Sequence, residues 1–185
     1  RINAGIVLHE YAHAVFQRLV YADARGAPYN SSRRAWSDAA INALDATNEG
    51  LADTFAAVAL GQPDAFAASI PAADRDVSKT RLLGLEMFAA LAATPPEAYN
   101  AYAVGSVVAS TLWALRSLTD DATLGRAILA AMRGSGEYVR ARKSYHLAVF
   151  FNHLHAALPA AVRPQACAIF EARLVALQGA LSCPR

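Results

Sequence analysis

Five residues, His9-Glu10-Tyr11-Ala12-His13, read H-E-x-x-H within a segment of helical periodicity. At 3.6 residues per turn, positions i and i+4 project from one side of a helix, so both imidazoles can reach one metal ion. Glu10 is rotated by about 100° from His9, beside such an ion rather than on it. There it can take a proton from a water at the metal. Two neutral imidazoles and a carboxylate suit zinc and leave a fourth position open. H-E-x-x-H fixes only three positions, and the same pattern also arises in helices that hold no metal.

A second cluster supplies the carboxylate. In Asn48-Glu49-Gly50-Leu51-Ala52-Asp53, Glu49 and Asp53 form another i, i+4 pair. Two acids at that spacing repel unless a cation lies near them. Zinc at Glu49, with an imidazole N–H given to Asp53, removes the repulsion, because metal-bound histidines usually donate their second ring nitrogen to a carboxylate or carbonyl. The plainer alternative is that both acids favour the N-terminal turn of their own helix.

The elements that must position these groups are helices. Alanine accounts for 44 of the 185 residues, and it is the strongest helix former and permits close helix packing. No run of alternating β-branched residues and no Asn-Gly or Asp-Gly hairpin signal appears. The expected fold class is all-α in a single domain, 1–185. Periodicity and breakers place helices at about 2–20, 36–44, 48–60, 81–92, 96–118 and 119–132. Gly134-Ser135-Gly136 is read as a break, followed by helices at about 139–158 and 164–181.

Composition excludes several classes. The chain is 55% hydrophobic with net charge +2, which excludes disorder. Its densest basic run, Arg140 to Lys143, holds three charges, too few to argue for a nucleic-acid surface. No apolar run approaches the roughly 18 residues of a membrane span. Cys167 and Cys183 flank the last helix; a straight helix would hold them about 24 Å apart, so their pairing requires the chain to turn back near Gln178-Gly179.

The two clusters together resemble the gluzincin metallopeptidases, in particular the thermolysin-like and fungalysin-like families. The resemblance implies a helical zinc-carrying lobe in which His9, His13 and Glu49 ligate Zn2+. It implies Glu10 as general base and acid, and Asp53 as the group that holds a histidine, His9. On this likeness the 22–45 region is an insertion or an enlarged loop. The likeness continues through Ala101-Tyr102-Ala103-Val104-Gly105 and Leu112-Trp113-Ala114-Leu115-Arg116. Where fungalysin-like enzymes have a histidine that donates to the oxyanion, this chain has Tyr102, whose hydroxyl is also a donor. A packed aromatic with its hydroxyl at the surface is the other reading of Tyr102. Tyr21 and Tyr29 are weaker candidates for a second donor.

The activity implied is zinc-dependent hydrolysis of peptide bonds in a peptide or protein substrate. In such enzymes a β-rich lobe precedes the H-E-x-x-H helix, so an upstream lobe or another chain is expected to complete the cleft. The alternative is a zinc-holding module without catalysis that binds a partner protein. Enzymes of this resemblance are usually exported and the Cys pair agrees, so an extracytoplasmic setting is expected. His146, His153 and His155 are expected to pack rather than form a second metal site. Trp36 and Trp113 are expected in the core or a cleft wall, and Arg116 in an interior salt bridge.

Overall fold

The computed structural model describes residues 3–21, 36–67 and 74–183. Among them there are seven α-helices and no strand. They are α1 (Ala4–Phe16), α2 (Asp38–Leu60), α3 (Leu85–Ala93), α4 (Ala101–Leu115), α5 (Asp121–Arg142), α6 (Leu147–Ala157) and α7 (Arg163–Arg173). The all-α expectation holds, and no described helix is long and apolar enough to cross a membrane.

Helix α2 is the spine of the fold, packed between α1 and α4 and touching α3 and α6. Its buried positions are mostly small: Ala40, Ala43, Ala46, Gly50, Ala52, Ala56 and Ala57. A Cβ built on Gly50 would lie 2.5 Å from the Gly105 carbonyl oxygen and 2.6 Å from Val108 Cβ. One built on Gly105 would lie 3.1 Å from both the Ala46 carbonyl oxygen and Glu49 Cβ. The two backbones therefore touch at the turn of α2 that carries Glu49, which sets α4 beside it. The core around this crossing includes Phe16, Leu44, Val108, Leu112, Phe151 and Phe170.

Several boundaries differ from expectation. The helices expected at 36–44 and 48–60 are one helix, α2, capped by Ser37, whose Oγ accepts from Ala40 N, and closed by left-handed Gly61. The Asp45-Ala46-Thr47 link contains no breaker, and the Thr47 hydroxyl donates to the Ala43 carbonyl at 2.7 Å. Asn48 is therefore not a helix start, and the supposed 22–45 loop is helical from Asp38 onward. Residues 22–35, with Tyr29, lie outside the described residues.

The break expected at Gly134-Ser135-Gly136 does not occur, and α5 runs straight through it. Those glycines are contact points. A Cβ on Gly136 would lie 2.2 Å from the Leu19 carbonyl oxygen, and one on Gly134 would meet the His153 ring at 2.5 Å. The helix ends instead at Lys143, which has φ of 53°. Helix α6 begins only at Leu147, where His146 Nδ1 caps Ala148 N.

Other ends are tighter than read. Helix α1 gives way at Gln17–Tyr21 to a π-helical turn. Pro95 and Pro96 confine the start expected at 96 to a short 3-10 turn, and α4 begins after Asn100, since proline lacks the helical N–H and restricts the residue before it. α3 likewise starts at Leu85 rather than 81.

The chain leaves α7 at Leu174, earlier than the expected turn at 178–179, and Cys167 and Cys183 are joined with Cα atoms 5.6 Å apart. The connection 74–84 is tied down by Val77 N to the Pro63 carbonyl at 2.9 Å and by Leu83 N to the Arg173 carbonyl at 2.7 Å. Val77 is buried with Ala57 and Ala109, against Trp113.

The helix crossing makes a signed prediction. Gly50→Ala forces a methyl into backbone and is expected to cost about 1–3 kcal/mol, lowering Tm by about 2–4 °C per kcal/mol in a domain of this size. A Cβ on Gly125, in α5, meets nothing within 4 Å among the described residues. Gly125→Ala is expected to stabilise by about 0.5–1 kcal/mol. Thermal unfolding of the two variants beside the parent chain checks both signs.

Candidate metal centre

The site is built where α1 and α2 lie side by side. The 3.6-residue period puts His9 and His13 on the side of α1 that faces α2, while Glu10 is exposed. On α2 the same period aligns Glu49 with Asp53, and Asn48 adjoins them.

Three ligand-type atoms converge. His9 Nε2 and His13 Nε2 are 2.9 Å apart, and Glu49 Oε2 lies 3.4 Å from the first and 3.6 Å from the second. Tetrahedral zinc with bonds of about 2.0–2.1 Å separates its ligands by about 3.3 Å. Each imidazole has an acceptor at its other nitrogen: His9 Nδ1 is 2.9 Å from Asp53 Oδ1, and His13 Nδ1 is 2.9 Å from Asn48 Oδ1. With Nδ1 donating, each Nε2 turns its lone pair inward, the tautomer a metal requires. A proton on one Nε2 satisfies that pair of nitrogens alone.

Glu49 Oε2 decides between two carboxylates. A His9–Glu10–His13 set also brings one ligand atom each within 4.8 Å of one another. Yet Glu10 is exposed, whereas Glu49 Oε2 is buried and makes no hydrogen bond to any described residue. A buried carboxylate oxygen without a donor is costly, and a cation between it and the two nitrogens removes the cost. The donor set thus fits a metal ligated by His9, His13 and Glu49, with Glu10 left free at the open side. Because Glu49 sits mid-helix in α2, a helix N-terminus does not account for the two acids.

Asp53 is only 2% exposed. It meets His9 as expected, but it also forms a two-point ion pair with Arg75: Nε donates to Oδ2 at 3.1 Å, and the second bond joins the terminal Nη2 to Oδ1. Arg75 Nη2 lies 3.2 Å from His9 Nδ1 as well. Burial opposes a charge on His9, but the Asp53 hydrogen bond and the Glu49 carboxylate outweigh it, so the His9 pKa lies above the ordinary imidazole value.

Tyr102, 42% exposed, stands in the first turn of α4, one turn before the Gly105 crossing. Burial first, and then the negative charge of Glu49, push its pKa up. It therefore stays protonated and able to donate. The structure accordingly brings His9, Glu10, His13, Glu49, Asp53 and Tyr102 into one place.

Other residues go elsewhere. The Tyr21 hydroxyl donates to Asp45 Oδ1 at 3.1 Å, and its buried ring packs edge-on against Phe16, so it belongs to the core. His146 caps α6, and His153 lies over Gly134. Arg116 pairs with Asp121 at 2.6 Å on the surface, not in the interior, and stacks on Trp113. Trp36 is buried in the core. An apolar groove of about 390 Å3, lined by Tyr11, Leu51, Phe55, Leu129 and Met132 among others, shares no residue with the metal centre.

Sequence reasoning passed over Arg75 and Asn48. Asn48 adjoins Glu49 in the motif, and its amide oxygen was the available acceptor for His13. Arg75 had only a weak signal, a lone cation between Asp74 and Asp76 in an irregular connection. No protein family, curated protein or solved structure matches the chain.

Proposed function

We propose that the chain is the helical, zinc-carrying part of a gluzincin-type metallopeptidase that hydrolyses peptide bonds. The observation that carries this reading is the convergence on one point of His9 Nε2, His13 Nε2 and the buried Glu49 Oε2, which has no hydrogen-bond partner among the described residues. Zn2+ held there by His9, His13 and Glu49 would supply Lewis acidity and lower the pKa of a water in its open position.

The remaining roles fall to the chain's own groups. Glu10, on the same helix but exposed, accepts the proton of the attacking water and returns it to the leaving amine. The protonated Tyr102 hydroxyl donates to the oxyanion that develops on the scissile carbonyl. Asp53 and Asn48 hold the two imidazoles in the ligating tautomer. The Cys167–Cys183 disulfide supports an oxidising, extracytoplasmic setting.

Elemental analysis of gently purified protein is expected to find one zinc per chain, and His13→Ala or Glu49→Ala is expected to abolish it. A content below about half an equivalent that added zinc does not restore would sink the reading. Peptide hydrolysis is expected to disappear with a chelator and to return with zinc.

Glu10→Gln is expected to keep its zinc and lower kcat by about 10²–10⁴-fold. Tyr102→Phe is expected to lower kcat by about 10²–10³-fold at unchanged zinc content. Zinc bound at full occupancy with no hydrolysis of any peptide, with or without an added β-rich lobe, would leave a metal-holding module without catalysis.

A further inference from the structure

The connection 74–84 delivers to the centre a residue that none of these roles uses. Arg75 has a side chain only 10% exposed. Its Nε and one terminal nitrogen are engaged by Asp53, which fixes the guanidinium plane edge-on to that carboxylate. Its central carbon lies over two aromatic rings, 4.1 Å from the Phe66 centroid and 4.5 Å from that of Tyr102. Phe66 in turn packs edge-on against the His9 ring, with centroids 5.5 Å apart.

Charge neutralisation of Asp53 alone needs a cation; it does not need that cation to lie over two aromatic rings. A guanidinium offers both at once, being a rigid fork for a carboxylate and a flat surface for stacking. Tyr102 is the ring that needs such support. It is the second residue of α4, its backbone N–H is taken by the Asn100 cap, and nearly half of its surface faces solvent.

We infer that Arg75 is a positioning residue for Tyr102: anchored by Asp53 and backed by Phe66, its guanidinium holds the Tyr102 ring so that the hydroxyl stays over the open side of the His9–His13–Glu49 cluster. One carboxylate, Asp53, then orients both the ligand His9 and, through Arg75, the donor Tyr102. The kinetic part of this inference rests on the peptidase reading; the stack itself does not.

The test separates the two. Arg75→Lys keeps a cation for Asp53 and loses the plane. It is expected to retain its zinc, lower kcat by about tenfold or more and leave KM within about twofold. Combined with Tyr102→Phe it is expected to be no slower than Tyr102→Phe alone, because the two act as one unit. Unchanged kcat in Arg75→Lys, or losses that multiply in the double variant, would overturn the inference.

The second readout needs no activity. In nuclear magnetic resonance spectra of the unsubstituted chain, the Arg75 Nε–H signal is expected to be shifted by the flanking rings and to move in Tyr102→Leu. A signal that Tyr102→Leu leaves in place would overturn the inference whether or not any peptide is cleaved. If the zinc-loaded chain cleaves nothing, or Arg75→Lys does not fold, this signal decides alone.

Discussion

The backbone contact between α2 and α4 at Gly50 and Gly105 is the constraint on which the rest hangs. Two helices can approach until their backbones touch only where neither carries a Cβ in the contact. Here the Cβ that Gly50 lacks would sit 2.5 Å from the Gly105 carbonyl oxygen. That closeness has a chemical result, since Glu49 precedes Gly50 and Tyr102 stands one turn before Gly105. A wider crossing would move Tyr102 away from Glu49, whose charge acts on its hydroxyl. The small residues of α2 thus do two things. They bury the helix on several sides, and they bring a carboxylate and a phenol from two helices into one cleft.

Burying charge in such a helix has a cost that explains the company Asp53 keeps. A carboxylate 2% exposed survives ionised only with strong partners, and Asp53 has two, His9 and Arg75. They differ in kind. His9 meets Asp53 through Nδ1, the nitrogen that carries the proton in a ligating tautomer, whereas Arg75 holds permanent charge. With Arg75 supplying that charge, the burial of Asp53 does not depend on a proton gained by His9. The same arginine couples a loop to the centre, because the connection that carries it is tied to Pro63 and to the end of α7.

How much of this was legible in the residues follows from what each signal depends on. The His9/His13 and Glu49/Asp53 pairs were readable because helical periodicity alone aligns i with i+4, whatever the helix length. All-α architecture was readable from alanine and from missing strand signals. Boundaries were less so. Gly134 and Gly136 look like breakers in isolation, but a glycine inside a long helix is also where another element can press close. Only the positions of Leu19 and His153 tell the two apart. Asp45-Ala46-Thr47 looked like a junction because polar residues interrupt the apolar pattern, while the Thr47 hydroxyl is in fact satisfied by its own helix. Arg75 was beyond reach for a different reason: an irregular connection carries no period, so no spacing predicts where its side chain arrives.

The difference between Glu10 and Glu49 is a difference of solvation rather than of residue type. Both carboxylates lie within reach of the two imidazoles. Glu49 projects from the buried α2, and its buried Oε2 has no hydrogen-bond partner among the described residues, so a cation is the partner that compensates it. Glu10 projects from the exposed side of α1 and is already solvated. A buried carboxylate suits a ligand, because a metal cation would offset the charge that has lost its hydration, whereas a solvated one can exchange protons with water. On the proposed peptidase reading, reversing the two exposures would place the motif's own carboxylate on the metal and leave no base beside the open position.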